Sequence, residues 1–155
     1  MVSRRGAEIA EEIGMSQSNT RVGDFRVLAG EDLTGKESYL VKLTHDSGVA
    51  EVLLPAANSD YALFLVLEAA VDAALVSIRP IEANRSVRLV LDGTCNPGDV
   101  LVLADVATAA DKGKVRALPV AAGTYRGLAI AQEAGVDGQM VLSRTAMLGD
   151  IEVTE

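Results

Sequence analysis

SVRLVLD (86–92), DVLVLAD (99–105), GKVRALP (113–119), GTYRGLAIA (123–131) and GQMVLSRT (138–145) decide the fold of this chain. Each is a short segment in which apolar and polar side chains alternate. The punctuation between them is DGTCNPGD, TAADKG, AAG and EAGVDG, rich in Gly, Asp, Asn and Pro. Strands recurring at such close spacing leave no room for crossover helices, so the run predicts an antiparallel sandwich or barrel. The fold class is all-β.

Working outward, the folded part begins at Phe25, which shares a strand face with Val27, and Gly30-Glu31-Asp32 turns the chain. SYLVKLT (38–44) alternates, His45-Asp46-Ser47-Gly48 makes a turn, and 49–54 returns, giving a hairpin over 38–54. Pro55 ends it, because proline cannot donate to a ladder. The stretch YALFLVLEAAVDAAL starting at Tyr61 is apolar nearly all round, and periodicity alone cannot separate strand from helix there. We read a strand over 61–67, a turn over 68–73 and a strand over 74–80. No repeat of solenoid period is visible.

Residues 1–24 differ in character, being polar and mixed in charge. Ala7, Ile9, Ala10 and Ile13 could share one face of a short helix, but a lone helix of three turns is marginal in water. Two readings stand: a frayed terminus, or an arm that orders on meeting a partner and buries Ile9 and Ile13.

Composition narrows the function. At 155 residues the chain should bury roughly two-thirds of its unfolded surface, enough for a real core. Aromatics are 3% and Trp is absent, which disfavours the stacking platforms that sugars and single-stranded bases need. The net charge of −8 disfavours direct contact with nucleic acid. A single cysteine, Cys95, allows no intrachain disulfide and fits a reducing cytoplasm. The two arginines near the start are followed by no apolar h-region, so no secretory signal is read. Glu68 and Asp72 interrupt the apolar run 61–78, and each would cost ~2.5–3.5 kcal/mol at a bilayer centre, so no membrane span is expected.

The residues able to do chemistry are few and scattered. His45 sits in a turn with no second imidazole in the chain, and zinc sites draw on His and Cys together. Cys95 lies between Asp92 and Asp99, whose charges would raise its thiol pKa, so it reads as a loop thiol without catalysis. Asp92, Asp99 and Asp105 fall at strand ends but lack the close oxygen-ligand succession of a calcium loop. Gly93, Pro97, Gly98, Asp99, Gly123, Gly135 and Gly138 read as turn-shaping residues. Gly113-Lys114 lacks the upstream glycine of a phosphate loop, and Asn84-Arg85-Ser86 fits a glycosylation triplet that idles without secretion. Arg79, Arg85, Arg88, Arg116, Arg126 and Arg144 lie on or near strands, either for outward salt bridges or for a protein interface. No catalytic residue, cofactor site or metal site is expected.

The order of these pieces resembles the small capsid decoration (cement) proteins of tailed bacteriophages, of the lambda-like head-stabilising type. The shared phrase runs from Arg79-Pro80 through Gly93, Pro97-Gly98-Asp99, residues 123–131 and Ala134-Gly135 to 138–144, within about residues 60–147. The N-terminal third has no counterpart phrase. The resemblance implies a small antiparallel β-barrel or β-tulip over 25–155, carrying an extended arm over 1–24. It further implies a homotrimer on the outside of an expanded phage head, made in the host cytoplasm, whose partners are the major capsid protein and itself. Arg4, Arg5, Ile9, Ile13, Arg21 and Val22 are the arm residues expected to meet the capsid. Binding the expanded shell and not its precursor would stabilise it by mass action, with three-fold avidity from weak contacts. A tail or head-completion component, and a small β-barrel ligand-binding module, are the alternatives.

Overall fold

The computed structural model describes residues 23–83 and 85–155. The arm residues Arg4, Arg5, Ile9, Ile13, Arg21 and Val22, and Asn84, lie outside the described residues. The ten strands are β1 (Phe25–Ala29), β2 (Leu40–Asp46), β3 (Val49–Leu53), β4 (Phe64–Glu68), β5 (Leu75–Pro80), β6 (Ser86–Val90), β7 (Val100–Leu103), β8 (Val115–Ala117), β9 (Gly123–Ala131) and β10 (Met140–Val153). One 3₁₀ turn, Ala109–Asp111, precedes β8. The apolar run after Tyr61 is strand, not helix, over β4, as the reading of 61–80 expected.

The strands form two units. β1 to β5 close a barrel in the order β1-β3-β2-β4-β5, and β6 to β10 form a sheet in the order β6-β10-β9-β7-β8. Most pairings are antiparallel; β1 against β3 is parallel. That parallel pair departs from the purely antiparallel expectation. The second sheet almost closes as well. A parallel bridge between Leu91 and Val115 brings the ends of β6 and β8 together.

The two units share one topology. Taken in order around each, the first, fifth, fourth, second and third strands follow one another, and the third returns parallel to the first. The hydrogen bonds match position by position. Ala29 N–H donates to Ala74 O at 2.8 Å and Leu91 N–H to Gln139 O at 2.9 Å. Ala73 N–H donates to Ala29 O and Gly138 N–H to Leu91 O; Leu33 N–H donates to Ala70 O and Cys95 N–H to Gly135 O. These pairings align EAAVDAALVSIR (68–79) with EAGVDGQMVLSR (133–144), which agree at Glu, Ala, Val, Asp, Val and Arg. The chain contains an internal repeat of 65-residue offset in this segment, longer than a solenoid period.

The repeated turn demands a left-handed residue. Gly138 has φ 78°, whereas its counterpart Ala73 holds φ 64°. Alanine there carries the Cβ–carbonyl clash that glycine avoids. Gly135 is needed for a different reason: a Cβ would lie 2.3 Å from Cγ2 of the buried Val141.

Two apolar cores result. Val27, Leu33, Val41, Val52, Val66, Val76 and Ile78 fill the first barrel. Leu89, Leu91, Leu101, Leu103, Val115 and Val141 fill the second unit, joined there by Leu40, Ala62 and Leu65 from the first. Strands β2 and β4 therefore have two buried faces: Val41 and Val66 point into their own barrel, while Leu40 and Leu65 point into the neighbour. Leu40 N–H donates to Gly113 O across the junction, and Asn58 Oδ1 accepts from Val106 N–H.

Two substitutions test this packing. Gly135→Ala should destabilise by about 1–3 kcal/mol through overpacking against Val141. Ala73→Gly should stabilise by about 0.5–1 kcal/mol, relief of the left-handed strain outweighing glycine's extra chain entropy. Chemical denaturation of both variants checks the opposite signs.

Candidate functional site

A groove at the junction is built by an irregularity in β10. Thr145 pairs with Ala129, but Gly149 already pairs with Gly127, so 146–148 bulge out of the ladder. Gly127 permits the crossing, because a Cβ there would lie 2.8 Å from Leu148 Cβ. The bulge leaves Met147 71% exposed. The sequence reading ended this strand at Thr145; it continues to Val153, paired with the first half of β9. Gly149 and Asp150 bring the bulge back into the ladder, opposite Gly127 and Arg126.

Opposite the bulge runs the linker from β5 to β6. Thr145 Oγ1 donates to the carbonyls of Glu82 and Arg85, holding linker and strand together. Between them opens a groove of about 300 Å³, lined by Tyr61, Leu63, Ile81, Arg126 and Met147 among others. Arg126 forms one wall. Its guanidinium stacks 4.0 Å from the centre of the Tyr61 ring and Nη2 lies 3.1 Å from Asp150. Its Nε is buried without a hydrogen-bond partner among the described residues. Tyr61 remains 65% exposed on this stack. The groove is mostly apolar, with Arg126, Glu82 and Asp150 as the charged groups of its lining.

The candidates singled out in the sequence lie elsewhere, except Arg126. His45 sits in the β2–β3 turn, where Nδ1 accepts the Gly48 N–H at 3.1 Å. The ring thus serves the turn. Cys95 lies in the β6–β7 loop, where the sequence placed it. It is buried, bridges to Gly135 and belongs to the second apolar core. Its thiol pKa is raised, by burial first and then by Asp99 and Glu133; Asp92 plays no part. Among the described residues no cluster of His, Cys, Asp or Glu is arranged to hold a metal.

The turn glycines Gly93, Gly98 and Gly138 all have positive φ, and Gly123 opens β9. After Pro97, Asp99 Oδ2 accepts the Asn96 N–H at 2.8 Å. Four of the six arginines are ion-paired: Arg79 with Asp24, Arg85 with Glu82, Arg88 with Glu133 and Arg126 with Asp150. Arg116 lies over the Tyr125 ring at 5.7 Å. Arg144 is exposed and makes no ion pair among the described residues. The groove residues missed in the sequence are Tyr61, Ile81, Met147 and Asp150. Only the TAMLGD stretch held a signal, as apolar residues running on past the expected strand end.

Among the shifted carboxyls, Glu133 and Asp92 move in opposite directions. Glu133 accepts from Leu142 N–H at 2.9 Å and from Arg88 at 2.7 Å, and these bonds hold its pKa below the usual value. Asp92 is pushed up by burial and then by the charges of Asp111 and Asp137, partly offset by Lys114 and Arg116.

No family model matches the chain, and no curated protein does. Among solved structures the chain is similar to the head fiber gp8.5 N base of bacteriophage phi29. The two are 13% identical and superpose with a TM-score of 0.59, over 83% of this chain and 97% of that one. At this identity the likeness is one of fold.

The opposite shifts predict opposite pH behaviour. The lowered pKa of Glu133 makes its contribution full above the ordinary carboxylate range and lost as pH falls through the folded value. The raised pKa of Asp92 leaves a penalty at neutral pH that protonation removes. At pH 7, thermal melting should show Glu133→Gln below wild type and Asp92→Asn above it. Both differences should shrink as pH falls below about 4. Shifts in the same direction would contradict these assignments.

Proposed function

We propose that this chain is a structural, non-enzymatic protein of a phage head, carried on the outer surface of the expanded shell as a homotrimer that stabilises it. The observation that carries the reading is the fold likeness to a head fiber base across most of both chains. The decoration-protein phrase over residues 60–147 supports it independently, because it rests on turn residues and not on overall shape. The major capsid protein would be the partner. The arm, through Arg4, Arg5, Ile9, Ile13, Arg21 and Val22, would lie on it, and the junction groove would accept one of its apolar side chains. A net charge of −8 keeps direct nucleic-acid contact out of this role.

The physics asks for no strong single bond. Preferential binding to the expanded shell shifts the equilibrium towards it, and a trimer multiplies modest contacts. The name of the structural neighbour favours a second reading, in which the unit is the base of a longer projection.

Mixing the purified chain with expanded heads and with precursor shells of its phage tests the proposal. Cosedimentation should occur with expanded heads and protect them against heat or chelation. Ile9→Asp with Ile13→Asp should weaken binding about tenfold or more, since burial of each isoleucine contributes about 1.5–3 kcal/mol. Absence of binding to either particle would overturn the reading. Electron microscopy of the decorated heads separates compact knobs from the bases of fibres.

A further inference from the structure

The internal repeat makes one surface of the second unit conspicuous. In the first barrel, Leu40, Leu65 and Arg79 lie in register across β2, β4 and β5. Leu40 and Leu65 point outward from that barrel, yet are 0% and 5% exposed, because the second unit covers them. The equivalent row in the second unit is Val100, Ile130 and Arg144, in register across β7, β9 and β10. It is less covered than its counterpart, although Val102, two residues along the same side of β7, is fully buried. Val100 and Ile130 are only half-buried and belong to neither apolar core, as does Leu142 one step along β10. Met140, on the same side of that strand, is 44% exposed.

The charges differ in the same sense. Arg79 is held by Asp24 through two bonds, Nε to Oδ1 at 2.7 Å and Nη2 to Oδ2 at 2.9 Å. Arg144 stands opposite Ser86, which has no carboxylate to offer. Arg144 makes no ion pair among the described residues, whereas Arg88, opposite Leu142 on the same face, is held by Glu133, and the chain carries 22 acidic and 14 basic residues. We infer that a second copy of this chain covers the outer face of β7, β9 and β10, packing on Val100, Ile130 and Leu142 and giving a carboxylate to Arg144. The contact repeats between copies the use of this face that the first barrel makes within the chain. It is heterologous, one copy's outer face against a different surface of the next, and such contacts close into rings when the rotation allows. The inference rests on the self-association in the proposed function, and assigns it to a face.

Native mass spectrometry and sedimentation of the full-length chain test it. Wild type should be trimeric at micromolar concentration. Ile130→Glu and Arg144→Glu should each weaken assembly about tenfold or more, as expected of a central contact residue. Arg144 is exposed, so Arg144→Glu should keep the wild-type melting profile of the protomer and decides the matter if Ile130→Glu misfolds. A monomeric wild type overturns the inference, and so does an Arg144→Glu chain that assembles as wild type does. Head binding is scored separately. An Arg144→Glu chain that stays trimeric and binds heads refutes this face alone, whereas a wild type that assembles through it but ignores heads refutes the head role alone.

Discussion

The second unit cannot fill its interior with its own side chains, and the rest of the structure follows from that constraint. Its edges β6 and β8 meet only at the Leu91–Val115 bridge, and Leu40, Ala62 and Leu65 of the first barrel complete its core. Fully burying a leucine contributes about 1.5–3 kcal/mol, so these few side chains are a sizeable share of a typical domain's net stability. They fix how the two units sit together, and hence where the junction groove opens. The groove exists because β10 must bulge past Gly127 before it can pair with β9 again beside the linker.

Two-sided burial also explains what the sequence left ambiguous. A strand with one wet face alternates, and the strands from Ser86 onward were legible for that reason. β4 has no wet face along most of its length: Leu65 serves one core and Val66 the other. Its sequence is therefore an unbroken apolar run, which looks the same as a buried helix. The strand reading of 61–80 succeeded through the acidic and small residues at 68–73, which mark the turn.

The features that stayed hidden have equally specific causes. The repeat was masked because the first copy has alanines, Ala70 and Ala73, where the second has Gly135 and Gly138. Glycine-based punctuation thus made the second half readable and the first half obscure. The groove was illegible because its parts, Tyr61, Ile81, Arg126 and Met147, come from four separated stretches that only the docking of the two units assembles. The burial of Cys95 was hidden for a related reason: its turn-rich context carries no sign of the bridge to Gly135 that brings it into the second core.

A repeat would ordinarily suggest modules that can be separated, multiplied or exchanged. The two-faced strands β2 and β4 remove that freedom. Cutting the chain between Pro80 and Ser86 would strip leucines from one core and leave them facing water on the other piece. Whatever the origin of the repeat, the halves have become a single cooperative unit that should denature in one transition. Changes at turns and outer faces should accordingly be tolerated best, because there a change in one half does not propagate into the other.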